Sequence, residues 1–268
     1  MLERFGIAHE RFAGVDGRHL TAQMRARVAR PAQHDHALTD GEIGCFLSHR
    51  GVWEKIASGE DVAGLILEDD VCVLPELADL MSGADWLPAD AAIVILETRM
   101  KRLITGSRAT AAPAGRRTAR LLSPTIGAAA YIVTRTAARH LLAITETFAE
   151  PVDELLFNRK NRDTAGMAVY VIDPAIAIQV KLIPQAELSQ PFRSLLREER
   201  RQARTRSLLP KIARQLRLQA IGSLKLLNGI IATIDPNRRW QPVAVDFAAF
   251  RRALDAVSGQ IAQDKAQD

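Results

Sequence analysis

The chain has 268 residues, of which 47% are hydrophobic and 25% are charged, and its formal net charge at pH 7 is +5. This composition is typical of a globular protein with one large domain, or with one domain and an extension. The aromatic content of 5% disfavours a nucleic-acid surface built on base stacking. Cys45 and Cys72 lie in apolar stretches, and neither has a partner at metal-ligand spacing, which predicts buried thiols in a reducing compartment.

A helix is predicted to begin after Thr39, because residues 39–42 have the form of a capping box. In such a box the Thr39 hydroxyl accepts from a backbone amide of the first turn, and Glu42 reaches back to the cap. The helix should run to about residue 57, and its apolar residues spread widely around it, which predicts extensive burial. Ser48 and His49 are polar exceptions, and His49 is either a core histidine with a hydrogen-bond partner or a group aimed at a ligand.

Residues 64–74 carry the strongest indication of function. A short apolar run ends at three successive acids, Glu68, Asp69 and Asp70, after which apolar residues resume. Such a run is typical of a strand buried on both faces, and open α/β sheets bind ligands at the ends of these strands. Clustered carboxylates repel each other. The cluster therefore indicates a divalent-cation site for a phosphorylated substrate, unless the acids only cap a helix or face water.

A second apolar strand is predicted over residues 91–96, and it also ends in an acid, Glu97, which Thr98 follows. Two strands that end in carboxylates favour a shared edge of one sheet. The next segment, 99–120, is rich in Arg, Thr, Gly and Ala. It is predicted to be a long loop, which would serve either as a lid over a substrate or as a plain connection.

Two further strands are predicted over residues 127–134 and 168–172, with helices between them. Asp153 lies near the start of the second of these helices. It is either an N-cap carboxylate, which the helix dipole favours, or a catalytic base.

The positive charge is concentrated near the C-terminal end. From Pro191 onward there are 15 Lys and Arg against 7 Asp and Glu, whereas the first 190 residues carry a net charge of −3. An apolar stripe at helical spacing runs through residues 209–231, and basic residues lie off the stripe. This pattern predicts a basic amphipathic helix, which either lies on an anionic membrane surface or packs on the body. The chain is accordingly divided into a body, 1–190, and a basic helical extension, 191–268.

Several of these segments together resemble the bacterial lipooligosaccharide glycosyltransferases of glycosyltransferase family 25. The resemblance covers about residues 5–180 and depends on the order and the spacing of the segments. The segments are FAGVDG at 12–17, GEIGCFLSH at 41–49 with Trp53 following, ILEDDV at 66–71, LET at 96–98, the strand at 127–135, and PVD at 151–153.

The resemblance implies an α/β fold of the GT-A type, which is a single Rossmann-like domain with a mostly parallel central sheet. It implies a β-galactosyltransferase-like enzyme that transfers a sugar, commonly galactose, from a UDP-sugar to a lipooligosaccharide or lipopolysaccharide acceptor, with inversion. Such an acceptor implies a cytoplasmic enzyme in peripheral contact with anionic lipid at the inner membrane. No nucleic-acid partner is expected.

The resemblance also implies roles for individual residues. The acidic segment serves as the motif that holds Mn²⁺ or Mg²⁺ against the donor diphosphate, a role in which the cation neutralises charge on the leaving phosphate. Asp70 is the first candidate ligand and Glu68 the second, since alternate residues of a strand face the same way. The expected donor-pocket residues are Ser48, His49, Asp69 and Thr98.

Inversion requires one base on the acceptor side, for which Asp153 is the first candidate and Glu97 the second. The chain departs from the family at its start. It begins at what resembles the end of the family's first helix, so the first strand, which helps to bind the nucleotide base, is expected to be missing. The alternative function is a truncated, inactive homologue that acts as a membrane-associated binding protein.

Overall fold

The computed structural model describes residues 1–30, 37–158, 163–184 and 235–264, with side chains described up to residue 257. The helices are α1 (Ala22–Val28), α2 (Asp40–Ser58), α3 (Leu77–Met81), α4 (Arg135–Ile144), α5 (Val152–Phe157) and α6 (Phe247–Asp264). The strands are β1 (Ala63–Leu67), β2 (Val71–Val73), β3 (Ala91–Ile95), β4 (Arg102–Ala112), β5 (Arg116–Leu121), β6 (Ala130–Thr134), β7 (Ala168–Asp173), β8 (Ala177–Gln179) and β9 (Arg238–Pro242).

Seven of these strands form one central sheet, in the order β1-β6-β3-β7-β5-β4-β9, and β2 pairs with β8 in a small second sheet. Among the described strand pairs of the central sheet, only β3 and β7 run parallel, and the other five pairs are antiparallel. The mixed α/β class agrees with the prediction, but the expectation of a mostly parallel sheet is wrong.

One cause of the difference is a hairpin in the segment that is predicted to be a loop. Strands β4 and β5 are separated by residues 113–115 alone, a connection that permits only antiparallel pairing, because a parallel pair needs a crossover of about a dozen residues or more. Ala114 and Gly115 have φ angles of 57° and 68°, which turn the chain sharply. The strand pattern is weak in the sequence because much of β4 is solvent-exposed and rich in Thr, Arg and Ala.

The two strands that end in acids point in the same direction. Strand β6 lies between β1 and β3 and is antiparallel to both, so β1 and β3 end at one edge of the sheet. At that edge the Glu68 amide donates to the Ala129 carbonyl at 2.8 Å, and the Leu96 amide donates to the Ala130 carbonyl at 3.0 Å. The predicted shared edge is therefore present, although an antiparallel strand separates the two.

Both faces of the sheet are covered, as the apolar strands predict. Ile93 and Ile95 of β3 belong to a core cluster with residues of α2, α4 and α5. Val94 and Leu96 belong to a second cluster on the opposite face, with residues of α3, β2, β8 and α6. This alternation is the period-two pattern of a strand with two buried faces.

The C-terminal part of the described chain packs on the body. Strand β9 pairs with β4 at one end of the sheet, and Phe250, Ala253 and Leu254 of α6 are buried in the second core cluster. The basic amphipathic helix predicted around residues 209–231 lies entirely outside the described residues, so the division at residue 190 stays a prediction. Among the described helices, none has the length and the hydropathy needed to cross a membrane.

Helix α2 begins as the capping box predicts. The Glu42 amide donates to the Thr39 hydroxyl at 3.3 Å, and the Thr39 amide donates to the Glu42 carboxylate at 2.7 Å. The loop before the helix packs closely on it at Gly44, where an added Cβ would lie 2.4 Å from the Val15 carbonyl oxygen and 2.7 Å from the Gly17 nitrogen.

We expect Gly44→Ala to destabilise the protein, because the new methyl group must push the loop away from the helix. The expected loss in the free energy of unfolding is about 1–3 kcal/mol, measured as a lower urea midpoint. Gly41→Ala in the same helix is the matched control, since no atom lies within 4 Å of a Cβ there. A similar loss in both variants would contradict the close packing at Gly44.

Candidate functional site

Two of the three acids after β1 converge on one side chain. The Gln179 amide nitrogen, at the end of β8, donates to Glu68 Oε2 at 3.3 Å and lies 3.1 Å from each carboxylate oxygen of Asp70. The Lys181 ammonium contacts Asp70 Oδ2 at 3.2 Å. Asp69 lies between the two acids in sequence and is exposed to solvent. Strand β1 ends at Leu67, so a turn, and not the alternation of a strand, brings both Glu68 and Asp70 to Gln179.

Glu68 and Asp70 share one hydrogen-bond donor, the Gln179 amide nitrogen. Carboxylate oxygens are the ligands that Mn²⁺ and Mg²⁺ prefer. In the protein alone, Gln179 and Lys181 supply the hydrogen-bond donors and the positive charge that reduce the repulsion between the acids.

Glu97 lies two residues after the end of β3 and is only 3% exposed. Its Oε1 accepts a hydrogen bond from the Ala129 amide at 2.7 Å, whereas its buried Oε2 has no partner among the described residues. Burial, only partly offset by the Ala129 amide, raises the pKa of the Glu97 carboxyl to about 7. The group is therefore poised to exchange a proton near neutral pH.

A small pocket opens beside Glu97. Arg99 lines this pocket, and its guanidinium donates to Gln179 Oε1 at 2.7 Å, which connects the pocket to the acids after β1. Thr98 is buried, and its hydroxyl accepts from the Met100 amide at 3.0 Å. The other lining residues are Ile95, Lys101, Leu103, Thr125, Ile126 and Val243.

Asp153 lies in the first turn of α5 and is fully engaged with the backbone. Its Oδ2 accepts from the Gly127 amide at 2.8 Å, and its Oδ1 accepts from the Glu154 amide at 3.0 Å. Gly127 has φ 97°, and a Cβ there would lie 3.2 Å from Glu97 Oε1. Asp153 therefore holds the glycine that allows the backbone to approach Glu97.

Ser48 bonds to the backbone at the start of α2. Its hydroxyl donates to the Gly44 carbonyl at 2.8 Å and accepts from the Val15 amide at 2.8 Å. The contacts tie the loop before α2 to the helix.

His49, by contrast, both has a buried partner and faces an acid. Its Nδ1 lies 2.9 Å from the Tyr131 hydroxyl, which also accepts from Trp53 Nε1 at 2.8 Å. Its Nε2 lies 3.6 Å from Glu68 Oε1. Cys45, one turn earlier, places its sulfur 3.8 Å from the same oxygen. Burial and the negative charge of Glu68 raise the pKa of the Cys45 thiol to about 12.

The residues that sequence reasoning missed are Gln179, Arg99 and Lys181. A signal for Gln179 was present, because it ends the apolar run 175–178 just as Glu68 and Glu97 end theirs. Arg99 and Lys181 have no comparable signal, since single basic residues after a strand are common on protein surfaces.

These features define a mixed α/β protein with a cluster of acids and cationic side chains at one edge of its sheet. The sequence model of the family described as Glycosyltransferase family 25 (LPS biosynthesis protein) matches residues 1–156. The chain belongs to this family.

Three relatives illustrate the similarity. The lipooligosaccharide biosynthesis protein lic2B of Haemophilus influenzae is 32% identical over 53% of this chain and 55% of its own length. The protein lex-1 of Haemophilus influenzae, also named for lipooligosaccharide biosynthesis, is 30% identical over 68% and 63%. The lacto-N-neotetraose biosynthesis glycosyltransferase LgtB of Neisseria gonorrhoeae is 32% identical over 56% and 57%. The chain thus spans 55–63% of the length of these relatives.

We expect Tyr131→Phe to destabilise the protein by about 1–3 kcal/mol, because it removes the hydroxyl that serves both His49 and Trp53 and leaves buried polar atoms unpaired. Urea unfolding at constant pH measures the loss. Tyr170→Phe is the control, since the Tyr170 hydroxyl bonds to Asp90 at an exposed position. Equal stability of the two variants would contradict the role assigned to Tyr131.

Proposed function

We propose that the chain is a glycosyltransferase that moves a sugar from a UDP-sugar, with galactose as the donor sugar, to a lipooligosaccharide or lipopolysaccharide acceptor. Family membership supports the reaction class, and the names of lic2B, lex-1 and LgtB support a bacterial glycan as the acceptor. The observation that carries the proposal is the convergence of Glu68 and Asp70 on Gln179, because it supports the two carboxylates as ligands of one cation beside cationic side chains.

The donor diphosphate is proposed to bind at this convergence. Asp70 and Glu68 would hold Mn²⁺ or Mg²⁺, which neutralises charge on the leaving diphosphate when bound. Lys181 lies next to Asp70 and Arg99 next to Gln179, and both would add positive charge where the leaving group becomes more negative. Asp69 is exposed beside them, in a position to contact the donor ribose or sugar.

Transfer with inversion needs a base for the acceptor hydroxyl. As the hydroxyl oxygen bonds to the anomeric carbon, the bond from that carbon to the donor phosphate breaks, its electron pair leaves with the diphosphate, and the hydroxyl proton passes to the base. Glu97 is favoured for this role, because its Oε2 is unpartnered within the described structure and Glu97 lines a pocket. This reverses the order expected from the sequence. Asp153, the first candidate there, becomes the second, since backbone amides donate to both of its oxygens.

Peripheral attachment to the cytoplasmic face of the inner membrane is part of the proposal. A lipid-linked acceptor would require the enzyme to work at that surface. The net charge of +8 from residue 191 onward supports attraction to anionic lipid.

Asp70→Asn should remove the Mn²⁺ dependence of UDP-galactose binding, because it weakens one of two proposed ligands. In calorimetric titrations we expect Mn²⁺ to tighten donor binding to the unmodified chain by about tenfold or more, and to have no such effect on the variant. Asp69→Asn is the matched control and should retain the Mn²⁺ effect. An unmodified chain that shows no Mn²⁺ effect would contradict the cation site, and donor binding without turnover would favour the inactive homologue.

Glu97→Gln should lower kcat by about 10²- to 10⁴-fold, because the side chain can no longer accept the acceptor proton. The base is active when deprotonated, so kcat/KM of the unmodified enzyme should rise with pH through about 7, following the raised pKa of Glu97. The variant should lose this rise. Initial rates with UDP-galactose between pH 5 and about 9 measure both effects.

Asp153→Asn separates the two candidate bases. If Asp153 only holds Gly127 and α5, the variant should lose stability and some activity but keep the rise in kcat/KM near pH 7. A rise that disappears in Asp153→Asn and persists in Glu97→Gln would reverse the assignment.

A further inference from the structure

Cys45, His49 and Glu68 form a second group of ligand atoms beside the proposed donor site. One atom from each residue lies within 4.8 Å of the other two. Glu68 Oε1 is 3.8 Å from the Cys45 sulfur and 3.6 Å from His49 Nε2. We propose that these three side chains bind Zn²⁺, or a thiophilic metal ion of similar preference, and that this site is distinct from the Mn²⁺ site assigned to Asp70 and Glu68.

The helix supplies two of the three ligands in a fixed relation. Cys45 and His49 are four residues apart on α2, so their side chains lie on the same face, one turn from each other. Helix α2 is packed into the core through Phe46 and Trp53, which are fully buried. The ligands are therefore held by a rigid element, which favours metal binding without rearrangement of the backbone.

The surroundings of His49 also suit a role as a metal ligand. To bind metal through Nε2, the imidazole must carry its proton on Nδ1, and that proton then points to the Tyr131 hydroxyl at 2.9 Å. The Tyr131 oxygen has two lone pairs, so it can accept from His49 Nδ1 and from Trp53 Nε1 together. A hydrogen bond from the second ring nitrogen is the usual means by which a protein orients a metal-bound histidine.

The chemistry of the three ligand atoms determines which metal ion is preferred. A thiolate and an imidazole favour Zn²⁺ and related ions, whereas Mn²⁺ and Mg²⁺ favour oxygen ligands. The cysteine loses its proton when the metal binds. Three protein ligands leave a fourth position for water. The Glu68 side chain is 32% exposed, so the ion can reach the site from solvent.

One carboxylate serves both sites. Glu68 presents Oε1 to Cys45 and His49, and Oε2 to Gln179 next to Asp70. Zn²⁺ held at Oε1 would therefore constrain the carboxylate that the proposed donor site needs, and we expect it to inhibit transfer. This last consequence rests on the proposed function, whereas the Zn²⁺ site rests on the three side chains alone.

The test uses Co²⁺ as a spectroscopic substitute for Zn²⁺, added to the full chain reduced with a phosphine, without any sugar donor. We expect a thiolate-to-cobalt charge-transfer band in the near ultraviolet, which stoichiometric Zn²⁺ abolishes. Cys45→Ser should lack the band. Cys72→Ser is the matched control and should retain it, because Cys72 is buried in the other core cluster, where its sulfur contacts the Phe250 carbonyl.

Glu68→Gln provides a second variant that keeps the thiol. It should retain the charge-transfer band but bind Co²⁺ about tenfold more weakly or worse, because the third ligand loses its charge. Thermal unfolding of each metal-free variant checks that the fold is intact. The site is overturned by a missing band in the unmodified chain, by an unchanged band in Cys45→Ser, or by an unchanged affinity in Glu68→Gln. Because only metal is added, an inactive transferase would leave these outcomes unaffected.

Discussion

Repulsion between carboxylates at one edge of the sheet is the constraint around which this site is arranged. Glu68 and Asp70 are held together because the Gln179 amide donates to both and the Lys181 ammonium lies beside Asp70. Glu97 is accommodated differently, since burial raises its pKa to about 7 and a proton can neutralise it. The acids thus persist at one edge through hydrogen bonds, a nearby cationic side chain and partial protonation.

The direction of the strands brings these acids together. Strands β1 and β3 run the same way because β6 is antiparallel to both. The start of β6 then lies between the two acidic ends, where the Ala129 carbonyl accepts from the Glu68 amide and the Ala129 amide donates to Glu97. Gly127, held by Asp153, permits this close approach of the chain. An antiparallel neighbour therefore brings two acidic strand ends to one edge, an arrangement that is usually associated with parallel sheets.

Helix α2 connects the core to the site. Phe46 and Trp53 on this helix are fully buried, while Cys45 and His49 reach toward Glu68. The Tyr131 hydroxyl joins the two regions, because it contacts both Trp53 and His49. Substitutions in this part of the molecule therefore affect stability and ligand geometry together, and matched controls are needed to separate the two effects.

The sequence by itself determined what depends on near neighbours in the chain. The capping box of α2 and the acids that follow the apolar runs of β1 and β3 can be read from residues close together in the chain, where local backbone geometry controls the structure. Tertiary structure alone decided the antiparallel order of the sheet, the hairpin at 102–121 and the use of both Asp153 oxygens by backbone amides. It also brought Gln179 to Asp70, 109 residues away. Such pairings depend on which distant segments pack together, and the local pattern of apolar residues carries little information about that choice.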